Sequence, residues 1–213
     1  MFMQTQREQV AEFGRKMLEK GLTRNTGGYL SIIDREAGGV AVCPSGMEYM
    51  LIQPEDVVIM DLEGNKLDGS RRPSTEWPVI RTVFANRPDI NALVHTHSPS
   101  ATVMSALRWE LPVVNFTISL AGGPVRCTDF YNYTTQDLAD AILEKMQDRY
   151  AVLMGNHGLL AAGVTMKQAF TLAEEIEFGC EVYLRAKSVG NPVSLTDAQM
   201  LDMQRELGGY YSK

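Results

Sequence analysis

Two of the chain's three histidines stand two residues apart, in Leu93-Val94-His95-Thr96-His97. Alternate side chains of an extended strand share a face, so both imidazoles can reach one metal ion. The third, His157, lies in Gly155-Asn156-His157-Gly158, just after the apolar run Ala151-Val152-Leu153-Met154. Brought alongside, it completes a set of three neutral imidazoles with one coordination position open, which a catalytic zinc needs and a structural zinc lacks. Each histidine alone carries little, because a single imidazole on a strand or in a glycine turn is commonly packing or surface. All three, however, fall at expected strand ends beside turns, where scaffolds present site residues.

A carboxylate and several anion-binding turns accompany them. Glu76 follows Arg72-Pro73-Ser74-Thr75, in the first turn of an expected helix. There it either complements the helix dipole or serves the metal. In the second reading it is a ligand when substrate is absent, or the group that takes a proton from the carbon beside a polarised carbonyl. The same helix start, with free N–H groups and the hydroxyls of Ser74 and Thr75, can hold an anion. Thr26-Gly27-Gly28 and Cys43-Pro44-Ser45-Gly46 offer similar donors, with glycine letting backbone approach a ligand closely. Such donor-rich turns are what a phosphate clamp without a Walker motif requires.

The elements that must position these groups follow from periodicity and punctuation. Val10, Phe13, Met17 and Leu18 repeat at helical spacing over residues 4–20, ending at Gly21. Strands are expected at 29–33, 40–43, 57–61, 90–97 and 151–154. A helix begins after Ser74 or Thr75, with Pro78 in its first turn, and ends near Arg87-Pro88. Further helices are expected over 101–107, 134–149 and 165–189, the last stopped by Gly190 and Pro192. Thr196 with Gln199 forms a capping box for a final helix. Helices interleaved with hairpin-like strands predict an α/β sandwich, its central sheet mainly antiparallel or mixed and flanked by helices. No repeat, low-complexity tract or linker divides the chain, so residues 1–213 are read as one domain.

Composition removes several classes of function. A net charge of -6 argues against non-specific nucleic-acid binding, which needs basic patches. No apolar run reaches the ~20 residues of a membrane span. The segment Met1-Phe2-Met3-Gln4-Thr5-Gln6-Arg7-Glu8 lacks the pattern of a secretory signal, so a cytoplasmic location is expected. Cys43, Cys127 and Cys180 are far apart without CxxC spacing, which suggests reduced thiols and no thiolate metal site.

In combination the motifs resemble the class II aldolase and aldolase-epimerase family. The likeness runs through Thr26-Gly27-Gly28, Pro44-Ser45-Gly46, Pro73-Ser74-Thr75-Glu76-Trp77, Val94-His95-Thr96-His97, Ala121-Gly122-Gly123 and Asn156-His157-Gly158. It is greatest with the members that act on L-fuculose 1-phosphate. The resemblance implies one Zn²⁺ per subunit, bound by His95, His97 and His157. Glu76 would be the acid/base that also ligates the resting metal, and Gly28, Ser45, Gly46, Ser74 and Thr75 would hold a sugar phosphate. It further implies cleavage of a ketose 1-phosphate to dihydroxyacetone phosphate and an aldehyde, through a metal-stabilised enediolate, by a homotetramer with active sites at subunit interfaces.

Two positions depart from the family pattern. Tyr29 stands where an asparagine usually helps bind phosphate, and Phe116 where a tyrosine from the neighbouring subunit handles a proton at the aldehyde side. Tyr131, Tyr133, Tyr210 and Tyr211 are the candidates to replace that tyrosine. Rival readings within the same resemblance are L-ribulose-5-phosphate 4-epimerase, methylthioribulose-1-phosphate dehydratase, and a non-catalytic scaffold like the adducin head. The sugar itself stays open among fuculose 1-phosphate, rhamnulose 1-phosphate and 5-deoxyribulose 1-phosphate, which differ at atoms the shared motifs do not contact.

Overall fold

The computed structural model describes residues 1–211, with side chains through residue 207. Its strands are β1 (Tyr29–Asp34), β2 (Gly39–Val42), β3 (Val58–Met60), β4 (Lys66–Asp68), β5 (Ala92–Thr96), β6 (Ala151–Met154) and β7 (Gly158–Gly163). They form one seven-stranded sheet in the order β4-β3-β2-β1-β5-β7-β6. Every neighbouring pair is antiparallel, so of the two sheet types expected the antiparallel one is realised. The helices are α1 (Gln4–Glu19), α2 (Trp77–Asn86), α3 (Pro99–Ala106), α4 (Gln136–Met146), α5 (Met166–Val189) and α6 (Asp197–Tyr211). The fold is thus the expected α/β arrangement. Among the described residues no helix is long and apolar enough to cross a membrane.

Strand β5 sits mid-sheet between β1 and β7, with Tyr29 opposite His95 on one side and Leu160 opposite it on the other. Alternation then sorts the two faces. Leu30 turns its Cδ1 toward Gly14 of α1, while Tyr29, one residue back, lays its ring 5.1 Å from that of His95. Helix α1 packs on β1 and β2, and α5 on β5 and β7. Helix α2 packs against α4, which also contacts β6. A single connected cluster of buried apolar side chains, Val40, Val94, Leu160 and Ile176 among them, runs through these layers.

Local chemistry accounts for most helix starts. Thr165 and Gln168 form a reciprocal capping box on α5, and Thr196 and Gln199 do so before α6 as expected. Thr135 accepts from the Leu138 amide to cap α4, which begins at Gln136. Helix α3 is capped from a distance: Glu177 of α5 accepts the Ser100 and Ala101 amides, each at 2.8 Å. That carboxylate fixes the turn directly after His97.

Two glycines let backbones press against the histidine strand. A Cβ on Gly28, whose φ is +77°, would lie 2.3 Å from the His95 carbonyl oxygen. One on Gly158 would lie 2.2 Å from that of Thr96. No side chain fits at either position without moving β5.

The structure also differs from the sequence reading in places. Strands β4 and β7 were not expected. Helix α2 begins at Trp77, so Glu76 is its N-cap residue rather than part of the first turn. The thiols of Cys43, Cys127 and Cys180 are free, in line with the sequence reading, but only Cys43 and Cys180 are buried.

Candidate active site

The three imidazoles converge. His95 Nε2 lies 3.1 Å from His97 Nε2 and 3.2 Å from His157 Nε2, and one ligand atom from each ring falls within 4.8 Å of the others. Three nitrogens bound at about 2.0–2.1 Å to one tetrahedral zinc stand roughly 3.3 Å apart, so the donor set fits a divalent ion. Each ring is positioned by a different device. His95 is fully buried, and its Nδ1 is 2.9 Å from the Leu159 carbonyl of β7, which leaves Nε2 facing the cluster. His97 is the first residue beyond β5. His157 sits in the β6–β7 hairpin turn, held by its amide on the Met154 carbonyl at 2.9 Å and by Asn156 in the left-handed region at φ 54°.

Glu76 closes the cluster from the α2 side. Its Oε1 lies 3.4 Å from His95 Nε2 and 3.7 Å from His157 Nε2, while Oε2 is buried without a partner among the described residues. An N-cap carboxylate ordinarily serves its own helix amides; this one makes no such bond. Its carboxylate faces the imidazoles rather than the amides of its own helix.

Charges in the cluster are strongly coupled. Burial pushes the Glu76 carboxyl up, but the His95 charge and hydrogen bond, reinforced by His157 and His97, outweigh it and hold the group below its usual range. Burial pushes His95 down, and Glu76 more than reverses this. His97 is driven down to about 3 and His157 to about 4, by burial first and then by His95. Both are therefore neutral near pH 7, as metal ligation requires.

Stability should depend on pH as a result. The unfolded chain protonates these two rings near pH 6.5, but the metal-free folded form refuses those protons until about pH 3 to 4. Proton uptake then favours unfolding, and stability falls as pH drops below about 6.5. Thermal melts of metal-stripped protein should show a lower midpoint at pH 5 than at pH 7.5. The His97→Asn variant should show a shallower dependence, and equal slopes would contradict an origin in these imidazoles.

Beside the cluster opens a cleft of about 290 Å³. Every residue expected to hold phosphate lines it: Gly28, Ser45, Gly46, Ser74 and Thr75, together with Glu76, His97 and His157. Three segments distant in sequence meet there, joined by the Pro44–Pro73 bridge and the Ser45 amide on the Arg72 carbonyl at 2.9 Å. A larger hollow of about 460 Å³ beside Arg149 and Leu172 contains none of these residues, so chemistry rather than size identifies the cleft.

The tyrosine candidates separate clearly. Tyr29 is fully buried, its hydroxyl without a partner among the described residues, and it does not line the cleft. It packs beneath His95, and burial holds its phenol well above the usual range. Phe116 and Tyr131 also lie outside the lining, whereas Tyr133 is part of it. The side chains of Tyr210 and Tyr211 lie outside the described residues. Sequence reasoning left position 133 undecided and named Gly27 only as part of a donor turn, without its closeness to His97, where a Cβ would lie 2.6 Å from Nδ1. It also missed Glu177 as the cap that fixes α3.

Residues 8–184 match the family described as class II aldolase and adducin N-terminal domain. The chain belongs to this family. The class II aldolase is 47% identical over 210 residues, 99% of each chain, to a protein of Bacillus thuringiensis serovar kurstaki named 5-deoxy-D-ribulose 1-phosphate aldolase. It is 30% identical, over 87% of its length and 85% of the relative's, to the L-fuculose phosphate aldolase of Escherichia coli K12. A solved structure described as L-fuculose 1-phosphate aldolase superposes with a TM-score of 0.94 at 38% identity, covering 98% of both chains. Class II aldolases are metal-dependent carbon–carbon lyases, and the three-histidine cluster of this one suits that chemistry.

Proposed function

We propose that this class II aldolase cleaves a ketose 1-phosphate of the 5-deoxyribulose 1-phosphate type into dihydroxyacetone phosphate and acetaldehyde. The observation that carries the reading is one cleft lined at once by imidazoles of the metal cluster, by Glu76 and by an uncharged donor-rich cradle. The Bacillus relative, at 47% identity, supports the 5-deoxy sugar over the fuculose 1-phosphate suggested by sequence motifs, since the fuculose-named relative stands at 30%.

In this mechanism His95, His97 and His157 would hold a divalent zinc. When bound, the ion supplies Lewis-acid stabilisation of the negative charge that develops on the ketose oxygens as the carbon–carbon bond breaks. Gly28, Ser45, Gly46, Ser74 and Thr75 bind the phosphate and orient the sugar. Orientation matters because a bound near-attack geometry removes much of the entropic barrier. Glu76, mostly shielded from water, delivers the proton to C3 of the three-carbon fragment after cleavage. It takes that proton back when the reaction runs toward condensation. A cytoplasmic homotetramer with the cleft at a subunit boundary belongs to the same proposal. Exposed Val103 on α3, Leu107 at its C-cap and Phe178 on α5, two helices that pack together, support association.

The reading is tested with a panel of 5-deoxyribulose 1-phosphate, fuculose 1-phosphate and ribulose 5-phosphate. Dihydroxyacetone phosphate is followed by a coupled dehydrogenase and the aldehyde by NMR. The 5-deoxy sugar should give acetaldehyde with a kcat/KM about tenfold or more above that for fuculose 1-phosphate, the span expected from differing pocket contacts. Conversion of ribulose 5-phosphate to xylulose 5-phosphate, or water loss without carbon–carbon cleavage, would replace the aldolase by one of its rivals.

A further inference from the structure

Aldol cleavage moves two protons: one reaches C3 of the three-carbon fragment, and the other leaves the C4 hydroxyl as the aldehyde forms. Glu76 accounts for the first. Among the remaining proton-bearing groups that line the cleft, the hydroxyls of Thr26, Ser45, Ser74 and Thr75 belong to the donor-rich turns of the phosphate cradle. The Cys43 thiol is buried and pushed up to about 11. Among the described residues Tyr133 is the one phenol in the lining. Its ring centroid is 6.4 Å from that of His157, on the cluster side of the cleft, and half of the residue remains exposed.

The backbone around it is fastened. Asn132 Oδ1 accepts from the Thr134 amide at 3.2 Å and from the Thr134 hydroxyl at 3.1 Å. The Asn132 carbonyl accepts from the Thr135 amide at 3.1 Å, just before Thr135 caps α4. Tyr133 therefore projects from a pinned turn at the mouth of the cleft. Tyr131, two residues away, packs against the core instead.

We infer that Tyr133, supplied by the same chain as the imidazoles, is the catalytic residue that exchanges the proton of the aldehyde oxygen. This role rests on the aldolase reading above. In condensation, the electron pair on the nucleophilic carbon of the three-carbon fragment forms the C3–C4 bond. The aldehyde π pair moves onto oxygen, and the Tyr133 phenolic proton passes to that oxygen. Solvent at the open mouth then restores the phenol. In cleavage, the phenolate takes the C4 hydroxyl proton, the O–H pair becomes the C=O π bond, and the C3–C4 pair stays on C3.

The two proton transfers can be measured apart. In heavy water without aldehyde, the enzyme should exchange hydrogen at the hydroxymethyl carbon of dihydroxyacetone phosphate, a step that on this reading needs Glu76 and not Tyr133. Tyr133→Phe should lose about 10²-fold in cleavage, keep exchange within about threefold of wild type, and retain one metal per chain. Tyr131→Phe should leave both rates unchanged. Cleavage by Tyr133→Phe within threefold of wild type, or exchange falling in step with cleavage, overturns the role while leaving the aldolase reading in place. A wild-type protein inactive in both assays overturns the aldolase reading and this role with it.

Discussion

Stripping the divalent ion with a chelator should lower turnover of the ketose phosphate by about 10³-fold or more, and replacing His157 with alanine should do the same. The magnitude follows from chemistry: Lewis-acid stabilisation of a developing oxyanion is worth several kcal/mol, and each 1.4 kcal/mol is tenfold in rate. His157 is the ligand to change because it sits in a hairpin turn and retains some exposure. His95 is fully buried and bound to the Leu159 carbonyl, so its loss would damage the sheet as well. Added zinc should restore the chelated wild type but not His157→Ala. Elemental analysis should find less than one ion per chain in the variant, and full turnover without metal would remove the basis of the proposed chemistry.

The imidazole pair is legible in the sequence because strand alternation is a strong geometric rule: a two-residue spacing on any strand puts both rings on one face. Glu76 was legible as a carboxylate at a helix start, but its aim was not. Whether it serves α2 or the metal cluster depends on where α2 sits, and no local signal encodes that. Strand β7 was missed for a compositional reason. Gly158-Leu-Leu-Ala-Ala-Gly163 is buried on both faces, so it lacks alternation, and its leucines and alanines favour helix. Pairing with β5 and β6 overrides that preference. With β7 unseen, His157 read as a turn at the end of one strand rather than as part of a β6–β7 hairpin.

Tyrosine identities were readable and their tertiary paths were not. Tyr29 lies within β1 directly beneath the site, yet its side chain is sealed under His95. Tyr133 lies in a loop with no periodicity of its own and reaches the cleft because α4 is docked on α2 and β6. Gly28 and Gly158 look like ordinary turn glycines in the sequence. Their need to be glycine follows from carbonyl oxygens of β5 that only the assembled sheet brings within 2.2 to 2.3 Å of a Cβ.

Glu76→Gln should reduce cleavage by about 10³-fold, within the range typical of a lost general acid–base group. The substitution keeps the shape of a side chain whose residue is only 6% exposed, so the loss is chemical rather than steric. The amide can neither accept nor return a proton at carbon. Metal should remain at one per chain, since the three imidazoles are untouched, and KM should stay within a few-fold because the phosphate cradle is separate from this carboxylate. Hydrogen exchange at the hydroxymethyl carbon of dihydroxyacetone phosphate is the stricter measurement, because the aldehyde takes no part in it. Glu76→Gln should lose exchange and cleavage together, whereas Tyr133→Phe should lose cleavage alone. If exchange survives in Glu76→Gln, the proton at carbon must come from elsewhere, and the unpartnered Oε2 beside the imidazoles would then need another explanation.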